Sequence, residues 1–540
     1  MSKNLVDLIL SNGKVWTGNP MQPTAEAVAI AQGRIVAVGD NATILRDYQS
    51  QNSYDMAGRR LLPGLQDSHL HLISTGTFLG QISLVGCRSI GELQERLRTA
   101  PAGEDWIVAR GFLQDEFNEK RMPTREDLDE VSATRPVFIV RACGHVAICN
   151  TLLLNMAGVV KGFGQVSGGE IGYDAQGEPN GFLAENAIGL ARRLQPATTS
   201  QRLQSSIARA AAELLRSGIT TAQSDDFGRD NWDLTFTAYQ EAYEAGQLPL
   251  RVNHQMRFNT PEDVARFVAW RDTVAYAAGI PRERFAFGPV KLMCDGSLGG
   301  RTAAMADPYH DAPHTQGVAI LSREEMTAIF REAHAAGFQL SGHAIGDKAI
   351  TDLIEAMGAA IPEAEREQAR PRVIHAQITT EAILQRMREL KVHCDIQPAF
   401  VPTDCPILDA RVGPDKAATS YAWATMRHTG ITTSGGSDSP VESYNPFYGI
   451  YCAVTRQNSE GIPLQGWSPQ ERLTVAEALK LYTYDGAYAI GLEGQVGQIA
   501  PTQWADMILI DRDIITVPHQ EIKDIQVVAA WVDGLLAYQQ

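Results

Sequence analysis

LLPGLQDSHLHL, residues 61–72, is the stretch that decides the fold. Its first half is apolar and its second half ends in two histidines. Read as a strand over 61–71, it places His69 and His71 at i and i+2, on the same face. In a parallel α/β barrel, side chains at the C-terminal ends of strands carry the chemistry. Two imidazoles at this spacing can grip one metal ion; alternatively, one of them is a core histidine satisfied by a hydrogen bond.

Downstream the same rhythm recurs. Apolar strand cores fall at 219–224, 249–255, 286–294, 338–343, 371–376, 391–396 and 431–437, and helical patterns follow many of them, such as SREEMTAIFREAHAAG (322–337) and TEAILQRMREL (380–390). Eight βα units predict an α/β fold with a (β/α)₈ TIM barrel rather than an open sheet. One connection is far too long: roughly 145 residues separate the first strand from the second, against a usual few tens. It holds strands of its own, WIVARGF (106–112) and RPVFIVRAC (135–143), and a Gly-rich run at 162–181. We assign an inserted α+β subdomain over 74–190. Because it follows a strand end, it is expected above the C-terminal face of the barrel as a lid. Both chain ends read as short strands and turns, in NLVDLILSNGKVWTG (4–18), AEAVAIAQGRIVAVGD (25–40), QIAPTQWADMILIDRD (498–513) and IQVVAAWVDGLLAY (525–538). They predict a composite β-sandwich from 1–60 plus 492–540, leaving 61–73 plus 191–491 for the barrel.

Composition narrows the function classes. The 540 residues are 44% hydrophobic and 20% charged, which excludes a disordered chain, a collagen and a coiled coil. The net charge of −16 repels phosphate backbones and anionic lipid, so no nucleic-acid or membrane partner is expected, although a local basic pocket for a small anion stays open. Seven scattered cysteines with no CxxC argue against a disulfide framework. No signal-peptide pattern and no run of 18 apolar residues is found, so a cytoplasmic protein acting on a small molecule is expected.

Further residues join the histidine pair. His343 ends FQLSGHA and His375 ends PRVIHA, each closing an apolar run. Singly, each is read as a satisfied core histidine; four histidines at three parallel strand ends point to a shared metal site. Asp438, in TTSGGSDSPV, can bind a metal and take a proton from water, or serve as an Asx-turn or helix cap. Lys291, in PVKLMCDGSLGG, lies inside an apolar strand, where a free ammonium is costly. It is either paired with an acid such as Asp295, or carboxylated by carbon dioxide to an anionic ligand that bridges two cations.

Taken together, PGLQDSHLHL, GHVAICNTLLLNMAGV, VKLMCDGSLGGRTAAM, GHAIGDKAI, VIHAQ, GGSDSPVESYNPFYGIYCAVTR and LTVAEALKLYTYDGAYAIG resemble the amidohydrolase superfamily, in the branch typified by N-substituted formamide deformylase. The resemblance implies a β-sandwich beside a metal-binding barrel. It implies that His69 and His71 bind a more buried metal, His343 and His375 a more exposed one, Lys291 bridges them as a carbamate, and Asp438 completes the first site. Imidazole-rich sites favour Zn²⁺ or another transition metal, with two ions per chain expected. The implied function is hydrolysis of a C–N amide-type bond by a metal-bound hydroxide (class EC 3.5), on an N-substituted formamide or N-acyl compound. Superfamily deaminases form the alternative; they carry a Glu three residues beyond the strand-five histidine, where this chain has Gly346, with Asp347 next. A non-catalytic metal-binding relative is a third reading. His145, Asp295 and Arg301 are candidate substrate contacts, with a structural histidine and salt bridges from Arg301 to Asp295 or Asp307 as their plainer readings. Analogy with related barrels suggests a homodimer.

Overall fold

Eight parallel strands form one sheet, each hydrogen-bonded to the next in chain order. They are β1 (Leu65–Leu70), β2 (Ile219–Phe227), β3 (Arg251–Arg257), β4 (Phe285–Met293), β5 (Leu340–Ala344), β6 (Arg372–His375), β7 (His393–Ile396) and β8 (Thr432–Gly435). The ring closes where the first and last strands end: the Asp438 amide donates to the His69 carbonyl at 2.7 Å, and the His71 amide donates to the Ser439 carbonyl at 2.9 Å. This is a computed structural model, and it describes residues 3–101, 105–141, 146–166, 168–228 and 231–540.

The expected helices carry the expected start signals. Ser322 and Glu325 form a capping box at the head of the helix Arg323–Ala335, whose buried residues Met326, Ile329, Phe330 and Ala333 repeat at helical spacing. Thr380 caps the helix Glu381–Glu389.

The strand expected over 61–71 is in fact two strands. Arg60–Pro63 pairs antiparallel with Met507–Ile510 in the terminal sheets, and only Leu65–Leu70 enters the barrel. The turn falls at Gly64, where a Cβ would come within 2.2 Å of Thr220 Oγ1. Only glycine lets the chain pass that close to β2.

A six-stranded sheet is built from both ends of the chain, from strands within 14–63 and within 507–539, and a four-stranded sheet from strands within 8–55. Leu10, Val28 and Ile30 of one meet Val15, Leu61, Met507 and Trp531 of the other in one apolar cluster. That is sandwich packing.

Thr77–Arg202, the stretch between β1 and β2, forms a compact unit of its own. It holds a mixed six-stranded sheet. Along Val137–Arg141, Val137 and Ile139 enter one apolar cluster and Phe138 and Val140 another, so both sheet faces are covered. No helix among the described residues is long and apolar enough to cross a membrane.

On the outer face of β3, His254 is fully buried among aromatic rings, with centroids 4.4 Å from Phe285, 4.5 Å from Tyr239 and 4.8 Å from Phe227. Neither ring nitrogen has a hydrogen-bond partner. Burial pushes its pKa down to about 3. The folded pKa thus lies below the ordinary value near 6.5, so its contribution is whole above ~6.5 and is lost as pH falls toward about 3. Replacing it with an apolar residue removes both costs. His254→Leu is expected to raise the denaturation midpoint by the equivalent of ~1–2 kcal/mol at pH 7. It is also expected to cut the acid dependence by ~1.4 kcal/mol per pH unit between pH 6 and 4. Denaturant titrations of both proteins at several pH values check this; equal acid slopes would show that His254 does not stay neutral in the fold.

Candidate metal centre

β1 delivers His69 at its end and His71 just beyond it. The β8–β1 closure brings Asp438 between them: Asp438 Oδ1 lies 3.2 Å from both His69 Nε2 and His71 Nε2. Asp67 holds this junction, accepting hydrogen bonds from the amides of His69 and Ser437 at 3.1 and 3.0 Å. Asp438 adopts φ +56° and His375 φ +80°, both in the left-handed region that non-glycine residues rarely occupy. Backbone strain of this kind concentrates at functional sites. His375 at the end of β6 and His343 in β5 stand beside the pair: the His69–His375 and His343–His375 centroids are 5.7 and 4.4 Å apart. Ligand atoms of His69, His375 and Asp438 all lie within 4.8 Å of one another.

The neighbours of each imidazole decide which nitrogen carries the proton. The Gln255 Nε2 donates to the Ser68 carbonyl, which turns its Oε1 toward His69 Nδ1, 2.9 Å away. Gln397 does the same for His375: its Nε2 donates to the Asp395 carbonyl and its Oε1 faces His375 Nδ1 at 2.8 Å. The Asp225 carbonyl lies 3.1 Å from His71 Nδ1, and the Gly296 carbonyl 2.9 Å from His343 Nε2. All four partners are carbonyl oxygens, which only accept. In its neutral form each imidazole donates to that outer partner and leaves the lone pair on its other nitrogen: Nε2 of His69, His71 and His375, and Nδ1 of His343; a proton held on Nε2 of His69 or His71 is donated to Asp438 instead. This outer hydrogen bond is the support that metal-binding histidines require.

Electrostatics favour neutral imidazoles at His69 and His375 and an ionised carboxylate at Asp438, and pull His71 the other way. Burial, and then the nearby Lys291 charge, push the His69 pKa down to about 4. Burial and His343 hold His375 well below the ordinary value. For His71, burial opposes the charged form, but the bond to Asp438 and the Asp225 charge outweigh it and raise its pKa. Burial works against ionisation of Asp438 too, yet its hydrogen bonds with His69 and His71 and the nearby ring charges hold it well below the usual carboxylate range.

Lys291 points into the same space, 2% exposed, with Nζ 3.2 Å from His69 Nε2. Its acidic partner is Asp225 at 2.7 Å, not Asp295. Asp225 also pairs with Arg257 at 3.0 Å. Burial would raise its pKa, but Lys291 and Arg257 bring it down to about 2. Asp225 and the two glutamines escaped the sequence reading. Their signal was there: Asp225 stands near the end of β2, Gln255 near the end of β3, and Gln397 directly after β7.

The candidate substrate contacts fare differently. Asp295 is buried, and its oxygens accept from the amides of Ala304, Ile345 and Gly346 at 2.9, 3.1 and 2.8 Å. It also lies 3.3 Å from His343 Nε2. It ties two loops together and steadies His343 rather than presenting a carboxylate to a ligand. Arg301 is engaged by Asp311 through two hydrogen bonds of 3.0 and 2.9 Å, instead of Asp295 or Asp307. His145 lies outside the described residues.

The profile of the amidohydrolase family matches residues 53–538. The protein YtcJ of Bacillus subtilis (strain 168) is 30% identical over 98% of this chain and 99% of its own length. The N-substituted formamide deformylase of Arthrobacter pascens is 28% identical over 99% of this chain and 98% of its own. Among solved structures, an uncharacterized metal-dependent hydrolase from Pyrococcus furiosus superimposes with a TM-score of 0.77 at 28% identity, covering 94% of this chain and all of that one. With barrel, sandwich and histidine cluster in place and a match across nearly its whole length, this chain belongs to the amidohydrolase family.

Proposed function

We propose that this protein is a metal-dependent hydrolase that cleaves an amide-type C–N bond of a small molecule, an N-substituted formamide or N-acyl compound. The observation that carries the reading is that ligand atoms of His69, His375 and Asp438 lie within 4.8 Å of one another, with His71 Nε2 3.2 Å from Asp438 and the His343 ring against His375. Such a donor set fits a borderline divalent metal such as Zn²⁺. His69, His71 and Asp438 would hold one ion, and His375 and His343 a second, with a Lys291 carbamate between them. Held there, a divalent ion supplies a Lewis acid that brings the pKa of water to about 7 and polarises a scissile carbonyl.

The chain's own groups do the rest. Asp438, anionic and 8% exposed, accepts the proton of the attacking water and passes it to the leaving nitrogen. The products are a carboxylic acid and an amine. Gln255 and Gln397 fix the two buried rings. Lys291 becomes a ligand by losing one proton to free its amine, forming an N–C bond to carbon dioxide, and losing a second proton from that nitrogen, which leaves the anionic carbamate. Its pairing with Asp225 opposes that step, because the carbamate would be a second anion beside a carboxylate; Arg257, 3.0 Å from Asp225, offsets part of the repulsion, and bound cations would offset the rest.

Deamination finds no support at the strand-five loop. A Cβ at Gly346 would lie 2.0 Å from the Ala304 carbonyl oxygen, so no glutamate fits there. Asp347, the first residue of its helix, is engaged elsewhere, accepting from the Ala306 amide at 2.8 Å and pairing with Lys416 at 2.6 Å. Protein purified without chelator and with bicarbonate present is expected to hold about two zinc-like ions per chain by elemental analysis. It is also expected to turn over at least one of a panel of formamides, N-acyl amino acids, carbamates and cyclic amides. About one ion per chain would remove the Lys291 bridge; a protein that binds no transition metal would overturn the whole reading.

A further inference from the structure

A second concave site lies at the opposite end of the barrel, among the strand starts. It is a cleft of about 860 Å³ bounded by the beginnings of β3 and β4 and by the segments that lead into β5 and β6. In a chain of net charge −16, its lining is cationic: Arg271, Arg282 and Arg370 stand against one carboxylate, Glu365, which is already engaged by His334 at 2.9 Å. Arg370 is held by Glu493, yet its buried Nε has no partner. Among the described residues Arg271 has its chain neighbour Asp272 as its ion-pair partner, and it lies 5.2 and 5.0 Å from the Tyr276 and Phe338 ring centroids. Arg282 lies 3.9 Å over the Tyr276 ring and has no carboxylate partner among the described residues.

The floor is polar as well. Asn253 is 8% exposed and lines the cleft, and its Oδ1 has no hydrogen-bond partner. The amide rests against Gly288, where a Cβ would come within 1.9 Å of Oδ1. A buried amide oxygen is costly to a fold unless a donor meets it. Phe287 adds an aromatic wall beside Tyr276. Guanidiniums at the mouth, aromatic rings at the side and a bare acceptor at the floor describe a ligand with three parts.

We propose that this cleft binds a planar aromatic anion that carries an N–H donor, the chemistry of a purine nucleotide. The anionic group meets Arg282 and Arg271, the ring packs on Tyr276 and Phe287, and the exocyclic amine of the base reaches Asn253 Oδ1. The volume accommodates a ligand of that size. The site is separate from the metal centre and rests on none of its chemistry.

Calorimetric titration of the full-length protein with AMP tests this, with adenosine and inorganic phosphate as partial probes. AMP is expected to bind one per chain with a sub-millimolar Kd, and each partial probe about tenfold more weakly or worse. Arg282→Ala, at an exposed position where folding is not at stake, is expected to weaken AMP about tenfold, and Asn253→Leu to weaken it further than it weakens phosphate. Binding unchanged after chelation and dialysis separates this site from the metal centre. No AMP uptake, uptake indifferent to Arg282→Ala, uptake lost on chelation, or phosphate binding as tightly as AMP would each overturn the proposal.

Discussion

Asp438→Asn is expected to cut turnover by roughly 10³-fold or more while leaving the protein folded. The substitution keeps the shape of the side chain and, because asparagine tolerates the left-handed region, also its φ of +56°. What it removes is charge. Asp438 Oδ1 faces His69 and His71 at 3.2 Å each, and the carboxylate is held ionised well below its ordinary range. A neutral amide neither accepts the proton of water nor neutralises a cation. Both kcat and bound metal are therefore expected to fall, with an unchanged thermal midpoint or a higher one, since the strained site loses a buried charge. The measurement is kcat on whichever panel amide is cleaved, beside elemental analysis and melting curves. Activity within tenfold of the unaltered protein would take proton transfer away from Asp438.

Lys291→Ala is expected to have an effect of the same order, and it separates two readings of the lysine. Its ammonium faces Asp225, which is fully buried. Removing one partner of such a pair costs ~3–5 kcal/mol, because an unpaired charge stays behind. Arg257 at 3.0 Å offsets part of this. A stability loss alone, with metal content and turnover kept, identifies Lys291 as a structural cation. Loss of one metal ion and about 10³-fold in kcat, restored by millimolar acetate or propionate, identifies a carbamate. The added acid then supplies the oxygens that the side chain lacks. Lys291→Met serves as the control, since its apolar side chain fills the space that the acid needs.

Much of this molecule was legible in its sequence, for a physical reason. The strands of a parallel barrel are buried on both faces, so each appears as an apolar run. That is why β2 to β8 start and end within a few residues of their expected places. It also explains why polar residues interrupting the ends of those runs, namely His69, His71, Lys291, His343, His375 and Asp438, stood out as candidate site residues. Where reading failed, the missing term was contact between distant residues. The apolar run 61–71 gave no hint that it bends at Gly64, because that bend answers to Thr220, far along the chain.

The sequence by itself therefore determined the barrel and singled out six polar residues at strand ends as candidates, since burial pattern and residue chemistry are local properties. Only the tertiary structure decided how those residues are wired. Asp225 rather than Asp295 meets Lys291, Asp311 claims Arg301, and Asp295 ties loops. Gln255 and Gln397, with the carbonyls of Asp225 and Gly296, fix the protons of four imidazoles. A hydrogen bond or ion pair needs two groups within about 3–4 Å, and residues tens to hundreds of positions apart reach that distance only when the ring of strands closes.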